Sequence, residues 1–205
     1  MRALLLLVVA APLLAQTHFQ KNYVTLGVGA GLPSGDLSGS FRNVGGIGIG
    51  YGYRFQKNLQ ADIGFESLFG AAGVRQFLNT DVGYARIADR QYFLPFGGRA
   101  ILPLREGRVL LSVGGGGAYL RYAERVKQPS SYYRIECPDC SSRGGWGAYA
   151  LASASYAIDH YQMFRLGFTA KAYRAHTDGG ALGLVPAGET RDRWLSLFAN
   201  FTVSF

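Results

Sequence analysis

The sequence is short of several things, and each shortage closes off a class of protein. Beyond residue 15 no run of 18 consecutive apolar residues occurs, so a membrane-spanning helix is excluded. Cysteine appears twice, which rules out a disulfide-rich scaffold. The three histidines, His18, His160 and His176, lie too far apart to suggest a metal cluster. Acidic residues number only 13 against 21 lysines and arginines, and the resulting net charge of +8 favours anionic neighbours. No phosphate-binding loop and no repeat of solenoid length is present, and neither a cofactor nor a nucleic-acid partner is expected.

Glycine is the residue in excess. The chain carries 29 in 205 residues, roughly twice the usual ~7%. With only seven prolines, and with the glycines scattered through aromatic-rich segments, this is not the composition of disorder. The first residues, "MRALLLLVVAAPLLAQ", have one basic residue, an apolar core and a small residue at Ala15. They read as a secretory signal peptide over 1–15, leaving a mature domain over 16–205.

The mature segment reads as strands. Period-two alternation marks Tyr23–Leu32, Val44–Phe55, Leu59–Gly70, Gln91–Leu104, Val109–Tyr122, Trp146–Ile158, Met163–Arg174 and Arg193–Phe205. Tight turns ("QKN", "REGR", "DHYQ") alternate with long polar loops. In "GGIGIGYGYRF", Ile47, Ile49, Tyr51, Tyr53 and Phe55 share one face, and Gly46, Gly48, Gly50, Gly52 and Arg54 the other. A soluble barrel would hide the apolar set and solvate a Lys- and Glu-rich one. Here the second set is small, which suits a narrow lumen, so the apolar set faces lipid. Aromatic belts agree: Tyr53, Phe55, Tyr156, Phe164, Phe201 and Phe205 toward the short turns, and Phe69, Tyr92, Tyr119 and Trp146 toward the long loops.

The predicted class is therefore all-β: an eight-stranded antiparallel up-and-down transmembrane barrel. On that layout the chain resembles the OmpA/OmpX-type small outer-membrane barrels, including the opacity and OmpW-like proteins. The resemblance covers the mature chain and rests on architecture and the terminal Phe205. It implies a bacterial outer-membrane location, short turns in the periplasm, and Phe205 as a signal read by the barrel-assembly machinery. It fixes no activity, because this fold hosts adhesins, pores and enzymes.

Strand parity turns Arg54, Asp62, Glu66, Arg99, Arg165 and Lys171 inward. Eight strands leave little more room than their own side chains need, so these charges are expected to pair in two layers and plug the lumen. Glu66, Arg99 and Lys171 are expected at mid-height. The alternative is a narrow anion-preferring pore. Cys137 and Cys140, bracketing Pro-Asp in "ECPDC", read as a local disulfide in a long loop. Arg75, Arg86, Arg90, Arg121, Arg125, Lys127, Arg134, Arg143, Arg191 and Arg193 collect at the loop ends as a basic rim.

That rim suits lipopolysaccharide phosphates, other outer-membrane lipids, or a surface polyanion or host ligand, and a monomer is expected. An enzyme of this fold is the other alternative: lipid A deacylases carry an H-x-S-N motif late in the penultimate strand. The matching region holds His176, Thr177, Asp178 and Glu189, with Asp178 where the nucleophilic serine belongs. Acyl transfer needs a hydroxyl beside the base, so a non-enzymatic surface role is expected.

Overall fold

The computed structural model describes residues 20–35, 41, 43–69, 77–80, 83–126, 140–182 and 185–205, with backbone alone for 77–80, 83–89 and 126. The segment read as a signal peptide lies outside them. The chain forms β1 (Asn22–Gly35), β2 (Val44–Gln56), β3 (Leu59–Phe69), a short β4 (Phe77–Thr80), β5 (Gly83–Leu104), β6 (Val109–Val126), β7 (Ser142–Ala157), β8 (Phe164–Gly179) and β9 (Thr190–Ser204). Each pairs antiparallel with its neighbour, β4 branching as a hairpin on β5. The pairing β3–β5 bypasses β4, and β1–β9 closes the ring. The barrel has eight staves.

Closure follows from composition. In hydrocarbon every backbone N–H and C=O needs a partner, and a ring of strands has no edge. The closing seam runs from Tyr23 opposite Ser204 to Gly35 opposite Asp192. One gap interrupts the ladder between β3 and β5, where pairing jumps from Ile63–Phe96 to Glu66–Phe93. Pro95 lies in that gap and has no N–H to donate.

The alternation sorts side chains as expected. Ile47, Ile49, Tyr51, Tyr53, Ile63, Val113, Leu166, Phe168 and Leu197 are all exposed on the outer face. Of the aromatic belts, Phe55, Tyr156, Phe164, Phe201 and Phe205 are exposed toward the short turns, and Phe69 and Trp146 toward the long loops.

The strands run further toward the long loops than alternation alone marks. β5 begins at Gly83, β6 reaches Val126, β7 begins at Ser142, β8 reaches Gly179 and β9 begins at Thr190. Above the hydrocarbon band the outward residues become polar, so the apolar alternation that signals a strand disappears. The hydrogen-bonded ladder continues regardless.

The short turns are built by specific polar contacts. Asn58 Nδ2 donates to the Ile101 carbonyl at 2.8 Å. The turn after β5 places Arg105 and Glu106 at φ 50° and 58°, followed by Gly107 at 86°. Between β7 and β8, the Asp159 carboxylate accepts the N–H groups of Met163 and Phe164 at 3.0 and 2.8 Å. Desolvation alone would raise its pKa; the backbone donors, Phe164 first, outweigh it and hold the carboxyl below its ordinary value.

Candidate functional site

The lumen has two halves. Toward the short turns it is polar and lined by small residues: Thr25 and Thr202 hydroxyls lie 2.9 Å apart, Ser112 and Ser153 2.6 Å, and Asn200 Nδ2 donates to Thr169 at 2.7 Å. These residues border a cavity of about 110 Å³ that reaches from Tyr23 and Arg165 up to Glu66, Lys171 and Phe198.

The six charges expected inside all border or close this half. Arg99 Nε meets Asp62 Oδ2 at 2.6 Å, and Lys171 Nζ meets Glu66 Oε1 at 2.6 Å. Glu66 and Lys171, both expected at mid-height, meet across the lumen, whereas Arg99, expected with them, is corrected here: it pairs with Asp62 on the adjacent strand. Arg54 donates to the Tyr23 hydroxyl and the Lys57 carbonyl. Arg165 donates to the Gly107 and Arg108 carbonyls and to Gln162. Backbone carbonyls of the short turns thus hold both arginines at the floor.

Toward the long loops the lumen is aromatic. Phe93, Tyr122, Tyr173, Trp194, Phe198 and Leu68 form a buried cluster joined by Phe41, Leu182 and Val185. Phe93 and Trp194 meet edge-on at 5.5 Å and Phe41 and Trp194 edge-on at 5.9 Å between centroids, while Phe93 and Tyr173 are tilted at 5.0 Å. Trp194 Nε1 donates to the Tyr122 hydroxyl at 2.9 Å, so the one polar edge of the indole is satisfied. Glycine makes the fit: a Cβ on Gly31 would meet Leu68 Cδ1 at 2.5 Å and Trp194 Cε3 at 3.4 Å. The plug expected from charges is made by rings.

Above the rings lies a polar cap. Arg143 is 2% exposed and donates to the Thr177 and Thr190 hydroxyls and to the Thr177, Pro186 and Gly188 carbonyls. Both threonines donate in turn to the fully buried Asp192, at 2.6 and 2.7 Å. Arg143 was expected on the basic rim, and this is a second correction. It points inward because it shares parity with Gly147 and Tyr149, and it clasps the β8–β9 connection over the mouth. Asp192 escaped notice in the sequence; parity with Trp194 places it inward too.

The outer rim is what remains exposed. Arg90, Arg121, Arg125, Arg191 and Arg193 lie on it, as does Arg174, the last residue of the strand expected from alternation. Arg75, Lys127 and Arg134 fall outside the described residues, and the Arg86 side chain is not described. Cys140 is disulfide-bonded; Cys137, the other cysteine of the chain, lies outside the described residues. Phe205 is exposed, its backbone exchanging hydrogen bonds with Asn22 at 2.9 and 3.0 Å.

The deacylase candidates separate across the wall. His176 is outward, with Nδ1 3.4 Å from Glu189 Oε1, and Asp178 is outward beside it. Thr177 is fully buried on the lumen side, bound to Arg143 and Asp192. The hydroxyl and the imidazole face opposite directions, so they make no nucleophile–base pair in this arrangement.

A closed eight-stranded barrel with an apolar outer band, two aromatic belts and a filled lumen defines a bacterial outer-membrane β-barrel, its short turns periplasmic and its long loops extracellular. The chain matches the family model described as outer membrane protein beta-barrel domain over residues 1–170 and belongs to that family. No curated protein sequence matches it. Solved structures share the fold at low identity. Neisserial surface protein A superposes with TM-score 0.58 at 14% identity, over 90% of this chain and 97% of that one. OprG from Pseudomonas aeruginosa gives 0.53 at 11%, over 94% and 99%. The attachment invasion locus protein Ail of Yersinia pestis, solved with the heparin analogue sucrose octasulfate, gives 0.50 at 12%, over 90% and 99%.

Proposed function

We propose that this protein is a sealed, non-enzymatic outer-membrane barrel that acts through its basic extracellular rim, binding polyanions at the cell surface. The observation that carries the reading is the aromatic plug. Phe93, Tyr122, Trp194 and Phe198 packed in the lumen and Arg143 clasping the mouth argue for the sealed reading over an anion-preferring pore. What is left for contact with other molecules is the outside, where exposed arginines dominate.

Arginine suits this role because its planar fork meets phosphate and sulfate oxygens two at a time. The separation of Thr177 from His176 argues against acyl-transfer chemistry in the region where the deacylase motif would fall. Sulfated polymer is a reasonable first probe, since Ail was solved with a heparin analogue.

The test is binding of heparin to purified protein in detergent across a salt series. Affinity that falls steeply as salt rises, and falls further in Arg121→Gln/Arg125→Gln, supports the rim. Salt-independent or undetectable binding contradicts it.

A further inference from the structure

We propose that the outer wall where β8 meets β9 holds the phosphate of an acylated amphiphile in the outer leaflet, with Arg174 and Arg193 as its principal ligands. The register sets Arg174 directly opposite Arg193, and His176 directly opposite Arg191. All four are exposed, alternating with buried Tyr173, Ala175, Thr177, Asp192 and Trp194. Like charges directly opposite on a sheet repel, and two arginines in that relation call for an anion between them.

Height identifies which anion. Immediately below the basic rows the outward residues are Ala172, Ala170 and Phe168 on β8, and Leu195, Leu197 and Ala199 on β9, all on the lipid-facing side. Trp146, 64% exposed, sits opposite His176 on β7 and marks the interface. The row above the basic residues holds Asp178 and Glu189, the only acids on this face among the described residues. Asp178 Oδ1 accepts the Gly179 N–H at 2.8 Å, and Glu189 faces His176.

A soluble polyanion descending from the medium meets those carboxylates first. A headgroup phosphate arrives from the side, at the arginines' own level, with its acyl chains against Leu195, Leu197 and Phe168. A surface hollow lined by Gly35, His176, Glu189, Thr190, Arg191 and Arg193 adjoins the site. Two guanidinium forks carried by directly opposed residues of neighbouring strands can reach the oxygens of one phosphate group. The assignment rests on the reading of the rim as the working surface and narrows it to one patch and one ligand class.

The experiment compares wild type with Arg174→Gln/Arg193→Gln, both folded by gel mobility, using purified lipopolysaccharide before and after removal of its lipid A phosphates. Wild type should bind the phosphorylated form at least about tenfold better, and the double variant should lose that preference. Lys21→Gln/Lys57→Gln, which removes equal charge at the periplasmic end, should retain it. In phosphate-free zwitterionic detergent the Gln variant should melt higher than wild type, because the repulsion is gone; with lipopolysaccharide the order should reverse. Equal binding of both lipopolysaccharide forms by wild type, or an unchanged preference in the Gln variant, overturns the site. If the variant instead loses only heparin binding, the patch serves a soluble polyanion and the rim reading survives without the lipid. Failure of wild type to bind either probe defeats both.

Discussion

The periplasmic and extracellular halves of the lumen are lined by the same eight strands and filled in opposite ways. Below, Thr25, Ser112, Ser153, Thr169, Asn200 and Thr202 hydrogen-bond in pairs around a cavity of about 110 Å³, and two ion pairs stand at its side. Above, Trp194, Tyr122, Phe93 and Leu68 are almost fully buried against one another. A cavity of that volume takes several waters at roughly 10–15 Å³ each, and the polar lining gives them partners. The contrast teaches that an eight-stranded barrel does not need charge to close itself. Rings fill the upper half, and the six charges that parity turned inward stay with the wet part, where burying them costs less, while Arg143 and Asp192 are buried above the rings only within a hydrogen-bonded cap.

The largest expected effect comes from breaking the dry half. Trp194→Ala removes the ring at the centre of the plug and should destabilise the barrel by about 3–5 kcal/mol, measured by urea unfolding in detergent micelles. A loss under about 1 kcal/mol would mean the upper half is as tolerant as the lower.

Next comes the ion pair at the boundary between the halves. Glu66→Ala leaves Lys171 without its carboxylate and should cost about 1–3 kcal/mol, less than a wholly dry pair because Lys171 borders the cavity. Lys171→Met should recover most of that loss in the double variant, while Arg99→Ala should not. Rescue by Arg99→Ala would show that Glu66 answers to the wrong partner.

A gain is expected inside the dry half. Gln91 is fully buried, and neither amide atom has a hydrogen-bond partner among the described residues. Gln91→Leu, nearly the same shape, should stabilise by about 1 kcal/mol in the same unfolding assay. A loss would reveal a partner for the amide.

The smallest effect lies outside both halves, at the periplasmic turn. The Asp159 carboxyl is held below its ordinary pKa of 3.8, so its contribution is present above that value and fades as pH falls through the lowered one. Asp159→Asn should therefore narrow the stability difference between pH 7 and pH 3. An unchanged difference would mean that the Met163 and Phe164 donors add nothing.

Much of this was legible in the sequence, because period two is a geometric rule that composition cannot disguise. Parity alone turned Arg54, Asp62, Glu66, Arg99, Arg165 and Lys171 to the lumen side. Two things escaped it. Height set Glu66 beside both Arg99 and Lys171, but which of the two cations meets it depends on how strands stagger around the ring: Lys171 is on β8 and Glu66 on β3, across the lumen. The cap escaped for a different reason. Arg143, Thr177 and Asp192 lie beyond the apolar band, where the outward residues are polar and the strand signal stops, so Arg143 read as loop. Carrying the parity of Tyr149 back six residues would have turned it inward.

The central claim is that the aromatic half seals the barrel, and conductance across a planar bilayer tests it most directly. Purified wild-type protein at high salt should give no stepwise current, while Trp194→Ala/Phe93→Ala, if folded by gel mobility, should give small steps as the dry half floods. Steady, anion-selective conductance from the wild type would contradict the account.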